Sequence, residues 1–270
     1  MAHNLLKGKS GIIFGALDSN SIAWKVAERC NTEGAKFVLT NAPIAMRMGT
    51  INQLAEKCNA QVIAADATSI PDLENLFSKS MEILNSKIDF VLHSIGMSPN
   101  VRKGKLYTDL DYEYYHKTID ISAMSLHKTL QTAMKLDAMK EWGSVVALTY
   151  IAAQRVFPDY NDMADAKSML ESIARSFGYQ YGLKNKVRVN TISQSPTKTT
   201  AGSGVKGFDA FYNYANAISP LGNASSDACA DYTISLFSDL TKMVTMQNLF
   251  HDGGFSYTGV SNEVMEKFTS

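Results

Sequence analysis

Short apolar runs alternate along the chain with longer segments of helical periodicity, and this alternation is the feature that most constrains the fold. The runs that predict strands are residues 11–16, 36–40, 61–65, 88–93, 144–149, 187–192 and 246–250. The segments that predict helices are residues 21–34, 47–58, 71–84, 111–140, 160–182 and 225–237. Strands and helices at this spacing predict an α/β fold with a single doubly wound, mainly parallel sheet and helices on both faces. No repeat, linker or break in composition divides the chain, so we expect one domain over residues 1–270.

Composition and charge exclude several classes of protein. Lysine and arginine together number 26, as do aspartate and glutamate, so no overall field would attract nucleic acid or an anionic membrane. No apolar run approaches the roughly 20 residues that span a bilayer, and the first residues leave no room for a secretory signal. The 3 cysteines are widely spaced, which predicts reduced thiols, and the 5 histidines show no metal-binding spacing. We therefore expect a cytoplasmic protein with no membrane, no nucleic-acid partner and no metal.

The stretch from Thr149 to Lys167 carries the candidate reactive groups. Tyr150 follows the fifth predicted strand, at the edge of the sheet where open α/β proteins bind their ligands. Tyr160 and Lys167 lie in the helical segment that follows, and their separation corresponds to a rotation of about 700°, so both would project from one face roughly 10.5 Å apart along the axis. Two phenols and one ammonium around a crevice suit a reaction in which negative charge develops on a carbonyl oxygen. The alternative is that Tyr160 is a half-buried helix aromatic and Lys167 a solvated charge.

The first strand and helix show part of a dinucleotide-binding pattern. Gly15 ends the strand and Ser21 begins the helix, whose backbone N–H groups would face a pyrophosphate that glycine allows to approach closely. The full G-x-G-x-x-G pattern is absent, so Gly15 can equally be a turn at the end of a strand. Asp18 in this turn and Asp66 after the third strand could each bind an adenosine group or cap a helix. The uncharged residues 94–96 after the fourth strand could pass close to a ribose or simply end the strand.

Together these features resemble the short-chain dehydrogenase/reductase superfamily, which has a Rossmann-like fold and usually uses a Tyr-x-x-x-Lys catalytic pair. Here Lys167 follows Tyr160 at a wider spacing, and a second tyrosine, Tyr150, precedes them. This wider spacing resembles that of the NAD-dependent enoyl-acyl-carrier-protein reductases of bacterial fatty acid synthesis. The motifs that add to the resemblance are Ser21-Ile-Ala, His93-Ser-Ile-Gly and Asp252-Gly-Gly-Phe. The similarity extends from about residue 5 to residue 255.

The resemblance implies a role for each candidate residue. Tyr160 would donate a hydrogen bond to the carbonyl of a trans-2-enoyl thioester carried on acyl carrier protein, and Tyr150 would line the pocket beside it. Lys167 would hold the nicotinamide-ribose hydroxyls, and its charge would strengthen the phenol as a donor to the enolate that forms. The residues implied in binding the cofactor, NADH rather than NADPH, are Gly15, Ser21, Ile22, Asp66, Ala67, Ser94, Ile95, Gly96, Lys167 and Thr197. The residues implied in the substrate pocket are Met97, Tyr150, Tyr160, Met163, Phe208 and Phe211.

The chain departs from the family pattern at three places. Gln194-Ser195-Pro196 stands where an Ala-Gly-Pro sequence is expected, so the backbone beside the nicotinamide is expected to differ. Thr149 replaces a serine before the pocket tyrosine. Residues 41–43 lack both the acidic residue that marks NAD enzymes and the basic pair that marks NADP enzymes, and Arg47 is the candidate cation nearby. A 2′-phosphate would therefore find at most one cation, which favours NADH.

Two other functions remain as alternatives. A carbonyl reductase of the same superfamily is disfavoured because the Tyr-x-x-x-Lys pair is missing at the start of the fifth helix. A non-catalytic sensor of nicotinamide nucleotides would have little reason to keep both Tyr160 and Lys167.

Assembly and mobility can also be predicted. The resemblance, with the apolar surface of the helices around residues 112–135 and 162–181, predicts a dimer at least and a homotetramer by analogy with the family. Residues 197–217 are predicted to form a lid over the acyl pocket. Three glycines in this segment precede Phe208 and Phe211, so a loosely held backbone leads into aromatic side chains that gain from covering an apolar ligand.

Overall fold

The computed structural model describes residues 2–200, 202 and 207–269. Its strands, in chain order, are β1 (Ser10–Phe14), β2 (Lys36–Asn41), β3 (Gln61–Ala64), β4 (Ile88–His93), β5 (Met139–Thr149), β6 (Arg188–Gln194) and β7 (Asn248–His251). Its α-helices are α1 (Ile22–Thr32), α2 (Pro43–Met48), α3 (Ile51–Cys58), α4 (Ile70–Leu84), α5 (Pro99–Arg102), α6 (Tyr112–Ile119), α7 (Ser125–Lys135), α8 (Asn161–Asn185), α9 (Phe208–Ile218), α10 (Ser226–Phe237) and α11 (Asn262–Glu266).

The strands form one 7-stranded sheet in the order β3-β2-β1-β4-β5-β6-β7, and every neighbouring pair is parallel. The chain builds one half of the sheet outward from β1, then crosses over and builds the other half outward from β4. This doubly wound, Rossmann-like arrangement confirms the predicted fold class. The strand order reverses between β1 and β4, so the sheet has a topological switch point there.

Hydrophobic side chains cover both faces of the sheet. Successive residues of a strand face opposite sides, so Ile12 packs into one layer and Ile13 into the other. The first layer includes Leu73 of α4 and Leu170 of α8, and the second includes Val26 of α1. Strands covered on both faces need continuous apolar sequence, and for this reason the strands were visible as apolar runs.

Helices α2 and α9, at the carboxyl edge of the sheet, are among those that were not predicted. Helix α2 begins with proline and buries none of its residues, so it carries no apolar periodicity that could reveal it. Helix α9 begins after Gly207, which has a φ of +75°, and it buries Ala215 and Ile218. The aromatic residues expected in a loosely held segment are therefore presented by a helix.

The prediction that a long helix occupies much of residues 111–140 is met by α6 and α7, which end before the last of these residues. Helix α7 stops at Lys135, Asp137 adopts a φ of +49°, and β5 already begins at Met139. Helices α6 and α7 are joined by a π-helical turn over Asp120–Met124, and such turns often occur near functional sites. Here the turn lies beside the segment that leaves β4.

Residues 2–200, 202 and 207–269 contain neither a membrane-spanning helix nor a metal centre. No helix in these ranges combines the length and the apolar composition that crossing a membrane requires. Within the same ranges, no group of three or more His, Cys, Asp or Glu side chains is placed to hold a metal ion.

Candidate active site

A crevice lies at the carboxyl ends of β1 and β4, where the strand order reverses. Gly15 follows β1 with a φ of +92°, and a β-carbon there would lie 1.9 Å from the carbonyl oxygen of Ser94, which follows β4. Only glycine fits this position without displacing the neighbouring backbone. Sheets of this type bind dinucleotides at such a reversal. The alternative of an ordinary strand-end turn gives no reason for so close an approach.

The turn after Gly15 leaves the start of α1 open to an anion. The Ser21 hydroxyl donates to the Asp18 carbonyl oxygen at 2.7 Å and accepts from the Leu17 N–H at 3.3 Å, so it holds the turn instead of capping the helix. The first turn of α1, which begins at Ile22, has no acidic side chain. Free N–H groups and the positive end of the helix dipole favour a phosphate at this position.

Asp66 and Ala67 follow β3, at the far side of this crevice. The Asp66 carboxylate accepts through Oδ1 from the N–H and the hydroxyl of Thr68, at 2.8 and 2.7 Å. It therefore braces the turn before α4, and it keeps Oδ2 as an acceptor that no described residue occupies. At the end of β2, the Asn41 amide donates to the Ala16 carbonyl oxygen at 3.2 Å, and Arg47 is exposed on α2.

Lys167 reaches from α8 to the ends of two strands. Its Nζ donates to the carbonyl oxygens of Leu148 at 2.8 Å and Ile95 at 3.4 Å, and the residue is only 6% exposed. A β-carbon on Gly96 would lie 3.6 Å from Nζ, so the glycine lies directly beside the ammonium. The alternative that Lys167 is a solvated charge is therefore wrong. Three of the predicted cofactor residues, Ile95, Gly96 and Lys167, lie together.

The ammonium sits in an environment that perturbs its titration. Burial lowers the pKa of Lys167 to about 8, and the nearby Glu171 carboxylate opposes this shift. Glu171 is itself buried one helical turn further along α8, and burial raises its pKa. Three side chains donate to the Glu171 carboxylate at 2.9–3.1 Å, namely Thr149, Gln154 and Asn248. The threonine that replaces the family's serine thus orients the carboxylate behind Lys167.

His93 at the end of β4 stays neutral beside this cation. Its Nε2 lies 2.9 Å from the Ser125 hydroxyl, which itself donates to the Ile121 carbonyl oxygen at 2.6 Å. The hydroxyl therefore accepts from Nε2–H. Burial and the Lys167 charge lower the pKa of His93 to about 3, so Lys167 carries the positive charge at this end of the crevice.

Two tyrosines form the other half of the site. The ring centroids of Tyr150 and Tyr160 are 5.1 Å apart, with their planes at 58°. Phe157 and Phe211 lie 5.4 and 6.3 Å from Tyr150, and both also contact Phe255. The Tyr150 hydroxyl is buried and has no hydrogen-bond partner among the described residues. Burial raises the pKa of both phenols, so they are protonated donors in an aromatic pocket.

Tyr160 precedes the helix instead of lying within it. Helix α8 begins at Asn161, which has a φ of +43°, and Tyr160 occupies the N-cap position. The prediction that Tyr160 and Lys167 project from one helical face is therefore wrong, because only Lys167 belongs to the helix. Burial raises the pKa of Tyr160.

The other pocket residues are only partly brought together. Met163 is buried one turn into α8, and its Cε would lie 3.9 Å from a β-carbon on Gly96. Met97 follows Gly96 and is half-buried. Phe211 contacts Tyr150, as described above. Phe208 instead packs its ring against Tyr212 at 6.0 Å, so the described contacts do not join it to the tyrosine pair.

The predicted lid is described only in part, since residues 201 and 203–206 lie outside the described residues. Thr197 donates through Oγ1 to the Ser195 carbonyl oxygen at 2.9 Å. Thr200 donates to the Asp18 carboxylate at 2.6 Å and so joins this segment to the turn at the start of α1. The first part of the segment therefore extends across the crevice, from the end of β6 to the turn at residues 17–21 before α1.

The departure at Gln194-Ser195 gives the end of β6 its own side-chain bracing. Gln194 Oε1 lies 2.7 Å from His251 Nδ1 at the end of β7. Ser195 Oγ accepts from the Ala224 N–H at 2.8 Å. These polar groups connect β6 to β7 and to the loop before α10.

Four site residues were missed by the sequence reasoning. Phe157 and Phe255 lie outside regular helices and strands, so no periodicity marks them as pocket residues. Glu171 was detectable, because residues four apart on a helix share a face and it follows Lys167 at that spacing. Asp162, a completely buried carboxylate in the first turn of α8, gave no signal in the sequence.

The described groups fit a nicotinamide dinucleotide. Three features lie along one edge of the sheet: the tight turn at Gly15, the uncapped start of α1 and the Lys167 ammonium. The first two would bind the phosphates of the dinucleotide, and the ammonium would lie near its nicotinamide. The aromatic pocket with its two phenols begins beside that cation. Such a site can hold a redox cofactor against an apolar substrate that bears a carbonyl oxygen.

Comparisons with known proteins agree with this geometry. The sequence profile of the family described as Enoyl-(Acyl carrier protein) reductase matches residues 15–256. The enoyl-[acyl-carrier-protein] reductase [NADH] FabI of Rickettsia typhi is 33% identical over 264 residues, which cover 97% of this chain and 99% of that relative. A FabI–NADH complex from Alistipes finegoldii is 65% identical with a TM-score of 0.96, over 98% of this chain and 93% of that chain. The enoyl-[acyl-carrier-protein] reductase (NADH) of Aquifex aeolicus is 30% identical with a TM-score of 0.87, over 95% and 100%.

Proposed function

The chain belongs to the family of enoyl-(acyl carrier protein) reductases, and we propose that it reduces the trans-2 double bond of an enoyl thioester on acyl carrier protein with NADH. One observation carries the assignment. A buried ammonium, that of Lys167, lies at the strand ends where a dinucleotide binds, and the protonated phenols of Tyr150 and Tyr160 lie in an aromatic pocket beyond it. Because the ammonium and the phenols lie in different parts of the site, the ammonium can bind the cofactor while the phenols donate hydrogen bonds to a substrate carbonyl oxygen.

Tyr160 is the residue that we assign to the substrate carbonyl. NADH, when bound, supplies the hydride that adds to the β-carbon of the enoyl group. Charge then collects on the thioester oxygen as an enolate, and the Tyr160 hydroxyl donates a hydrogen bond to that oxygen until a proton taken up from solvent adds to the α-carbon. Because burial keeps the phenol protonated, the donor is present throughout the reaction. Its bond is stronger to the enolate than to the neutral carbonyl, and this difference lowers the barrier.

Tyr150 lines the same pocket and offers a second phenol. Its buried hydroxyl has no partner among the described residues, so a substrate oxygen or a water would relieve an unsatisfied group. The rings of Phe157 and Phe211 pack against the ring of Tyr150, and together they would exclude water from the enolate.

Lys167 is assigned to the ribose of the nicotinamide. Its ammonium is held by two backbone carbonyl oxygens, and the buried Glu171 balances part of its charge. The other groups that we assign to the cofactor are Gly15, Ser21, Ile22, Asp66, Ala67, Ser94, Ile95, Gly96 and Thr197.

The acyl chain would lie against Met97, Met163 and Phe211. Residues 197–217 would form a lid over this pocket, and the lid belongs to the same single domain. The hydrogen bond between Thr200 and Asp18 supports the proposal of a lid, because it joins this segment to the turn at residues 17–21 before α1. We keep Phe208 as a lid residue, which would contact the acyl chain only when the lid closes. A closing lid would exclude water from the hydride transfer.

We further propose a homotetramer that acts in the cytoplasm in fatty acid synthesis. Large apolar side chains remain exposed on α6 and α8, including Tyr112, Tyr179 and Leu183, and a subunit interface would cover them. The 3 cysteines are all free and buried, which suits a reducing compartment.

The proposed reaction is tested by following the loss of NADH absorbance with two thioesters. An enoyl thioester should be reduced, and a 3-ketoacyl thioester of the same chain length should not be reduced measurably. Faster turnover of the keto substrate would assign the protein to the carbonyl reductases instead, and NADH binding without turnover of either would make it a sensor. In the same assay NADPH should have the higher KM, because a 2′-phosphate beside the end of β2 would meet the exposed Arg47 but no basic pair in residues 41–43. A lower KM for NADPH would reverse the cofactor assignment.

A further inference from the structure

The carboxylate of Asp162 has no place in the reaction described above, yet it is completely buried two positions after Tyr160. It accepts from the Ser98 hydroxyl at 2.7 Å through Oδ1. Through Oδ2 it accepts from the Asn100 amide at 2.9 Å and from the Thr118 hydroxyl at 2.8 Å, which is shared with the Tyr114 carbonyl oxygen at 2.8 Å. All three partners are neutral side chains, so hydrogen bonds and the positive end of α8 hold this carboxylate.

The three donors belong to one stretch of chain, residues 98–118, which leaves the sheet after β4. Ser98 caps α5 by accepting from the Val101 N–H at 3.0 Å. Asn100 joins α5 to Asp111, the residue before α6. Its amide N–H donates to the Asp111 carbonyl oxygen at 3.1 Å, and its amide oxygen accepts from the Asp111 N–H at 3.1 Å. One carboxylate therefore ties several parts of the stretch to the first turn of α8.

Two further contacts hold this stretch, one at the start of α8 and one in the π-helical turn. Asn161, directly after Tyr160, donates through its side-chain amide to the Lys105 carbonyl oxygen. Met97, directly before Ser98, is held by the Ser122 hydroxyl, which accepts from the Met97 N–H at 2.9 Å and donates to its carbonyl oxygen at 3.1 Å. Met97 thus lies between an anchor in the π-helical turn and the anchor at Asp162.

We propose that Asp162 is a positioning residue for enoyl reduction, which fixes the distance between the Met97 side of the acyl pocket and the Tyr160 phenol. This inference rests on the proposed function. A neutral amide of the same size would present N–H groups to at least one of the three donors, and a buried donor that loses its acceptor costs free energy. We expect residues 98–118 to move relative to α8 to relieve that cost. The pocket would then bind the acyl chain out of line with the phenol, while the cofactor site at β1 and α1 is untouched.

The test is Asp162→Asn, with Glu33→Gln as the matched control. Glu33 is also a completely buried carboxylate, but it accepts from the N–H groups of His3 and Leu5, far from the crevice. Both variants are assayed well below their melting temperatures. Asp162→Asn should lower kcat/KM for the enoyl thioester about tenfold to a hundredfold, as small misplacements of substrate do. The Kd for NADH should be unchanged, and Glu33→Gln should change neither. Wild-type kcat/KM in a folded Asp162→Asn would overturn the inference.

A second pair of variants separates positioning from general stability. Thr118→Val removes one donor and should raise the KM for the enoyl thioester, whereas Thr118→Ser keeps the hydroxyl and should retain the wild-type value. Equal values in the two variants would refute the role of this hydrogen bond. Hydrogen exchange across residues 97–111 should become faster in Asp162→Asn and stay unchanged in Glu33→Gln. Exchange does not depend on turnover, so an inactive wild type would refute the proposed function without affecting this result, and unchanged exchange would refute the positioning alone.

Discussion

Replacement of Lys167 by methionine tests the cofactor role of the buried ammonium. An ammonium has three N–H donors, and two of them are directed at the carbonyl oxygens of Leu148 and Ile95. One N–H therefore remains for the ribose. Methionine has a similar length and is apolar, so the variant removes the charge and this donor while it fills the same space.

The expected loss of affinity follows from that count. A hydrogen bond to a charged group contributes about 1.5–3 kcal/mol, and about 1.4 kcal/mol changes an equilibrium constant tenfold, so the Kd for NADH should rise about tenfold to a hundredfold. Titration of the free enzyme with NADH, followed by fluorescence, measures this without turnover. An unchanged Kd would show that Lys167 does not hold the cofactor.

The pH dependence of binding provides a second readout of the same group. Because burial lowers the pKa of Lys167 to about 8, the ammonium is present below that pH and is lost as the pH rises through it. The affinity of the wild type for NADH should therefore be full near neutral pH and decline above about pH 8. His93, with a pKa lowered to about 3, stays neutral over this range and adds no competing transition. A decline of the same size in Lys167→Met would assign the titration to another group and refute the reasoning.

Three further predictions address the remaining proposals. Tyr160→Phe should lower kcat by an amount equivalent to about 2.7–4 kcal/mol with the NADH Kd nearly unchanged, and an equal loss of NADH affinity would show that its role is misassigned. Hydrogen exchange in the predicted lid, residues 197–217, should be fast in the free protein and slow markedly with NADH and an acyl-like ligand. Equal protection in both states would mean that the segment is a static part of the fold. Analytical ultracentrifugation should find a tetramer at micromolar concentration, and a monomer alone would contradict the proposed assembly.

The strands and the long helices could be predicted because their burial leaves a periodic pattern in the sequence. Val26 and Leu73, for example, belong to apolar stripes that face the sheet. Helix α2 buries nothing, and the short helix α5 has only one turn, so neither shows such a stripe. The carboxyl edge of the sheet, where the function lies, is therefore the region for which the sequence is least informative.

The same reasoning explains which parts of the site could be predicted. Gly15 could be singled out because it ends a strand, and Lys167 because it follows Tyr160 in a helical segment at the edge of the sheet. The contacts among Tyr150, Phe157 and Phe211 join three different segments, and no local pattern encodes such a contact. The network around Asp162 also could not be predicted, because a carboxylate in the first turn of a helix is usually exposed and favoured there by the helix dipole alone.

The wide spacing of Tyr160 and Lys167 acquires a physical meaning from the position of the helix start. The left-handed residue Asn161 places Tyr160 outside α8, where its ring contacts Tyr150 instead of following the helix towards the ammonium. Burial in this pocket raises the pKa of the phenol. A phenol whose pKa is raised is a poor proton acid but a persistent hydrogen-bond donor. That property suits an enolate, whose oxygen needs stabilisation while the hydride adds to a carbon atom, and it leaves the lysine free to serve the cofactor.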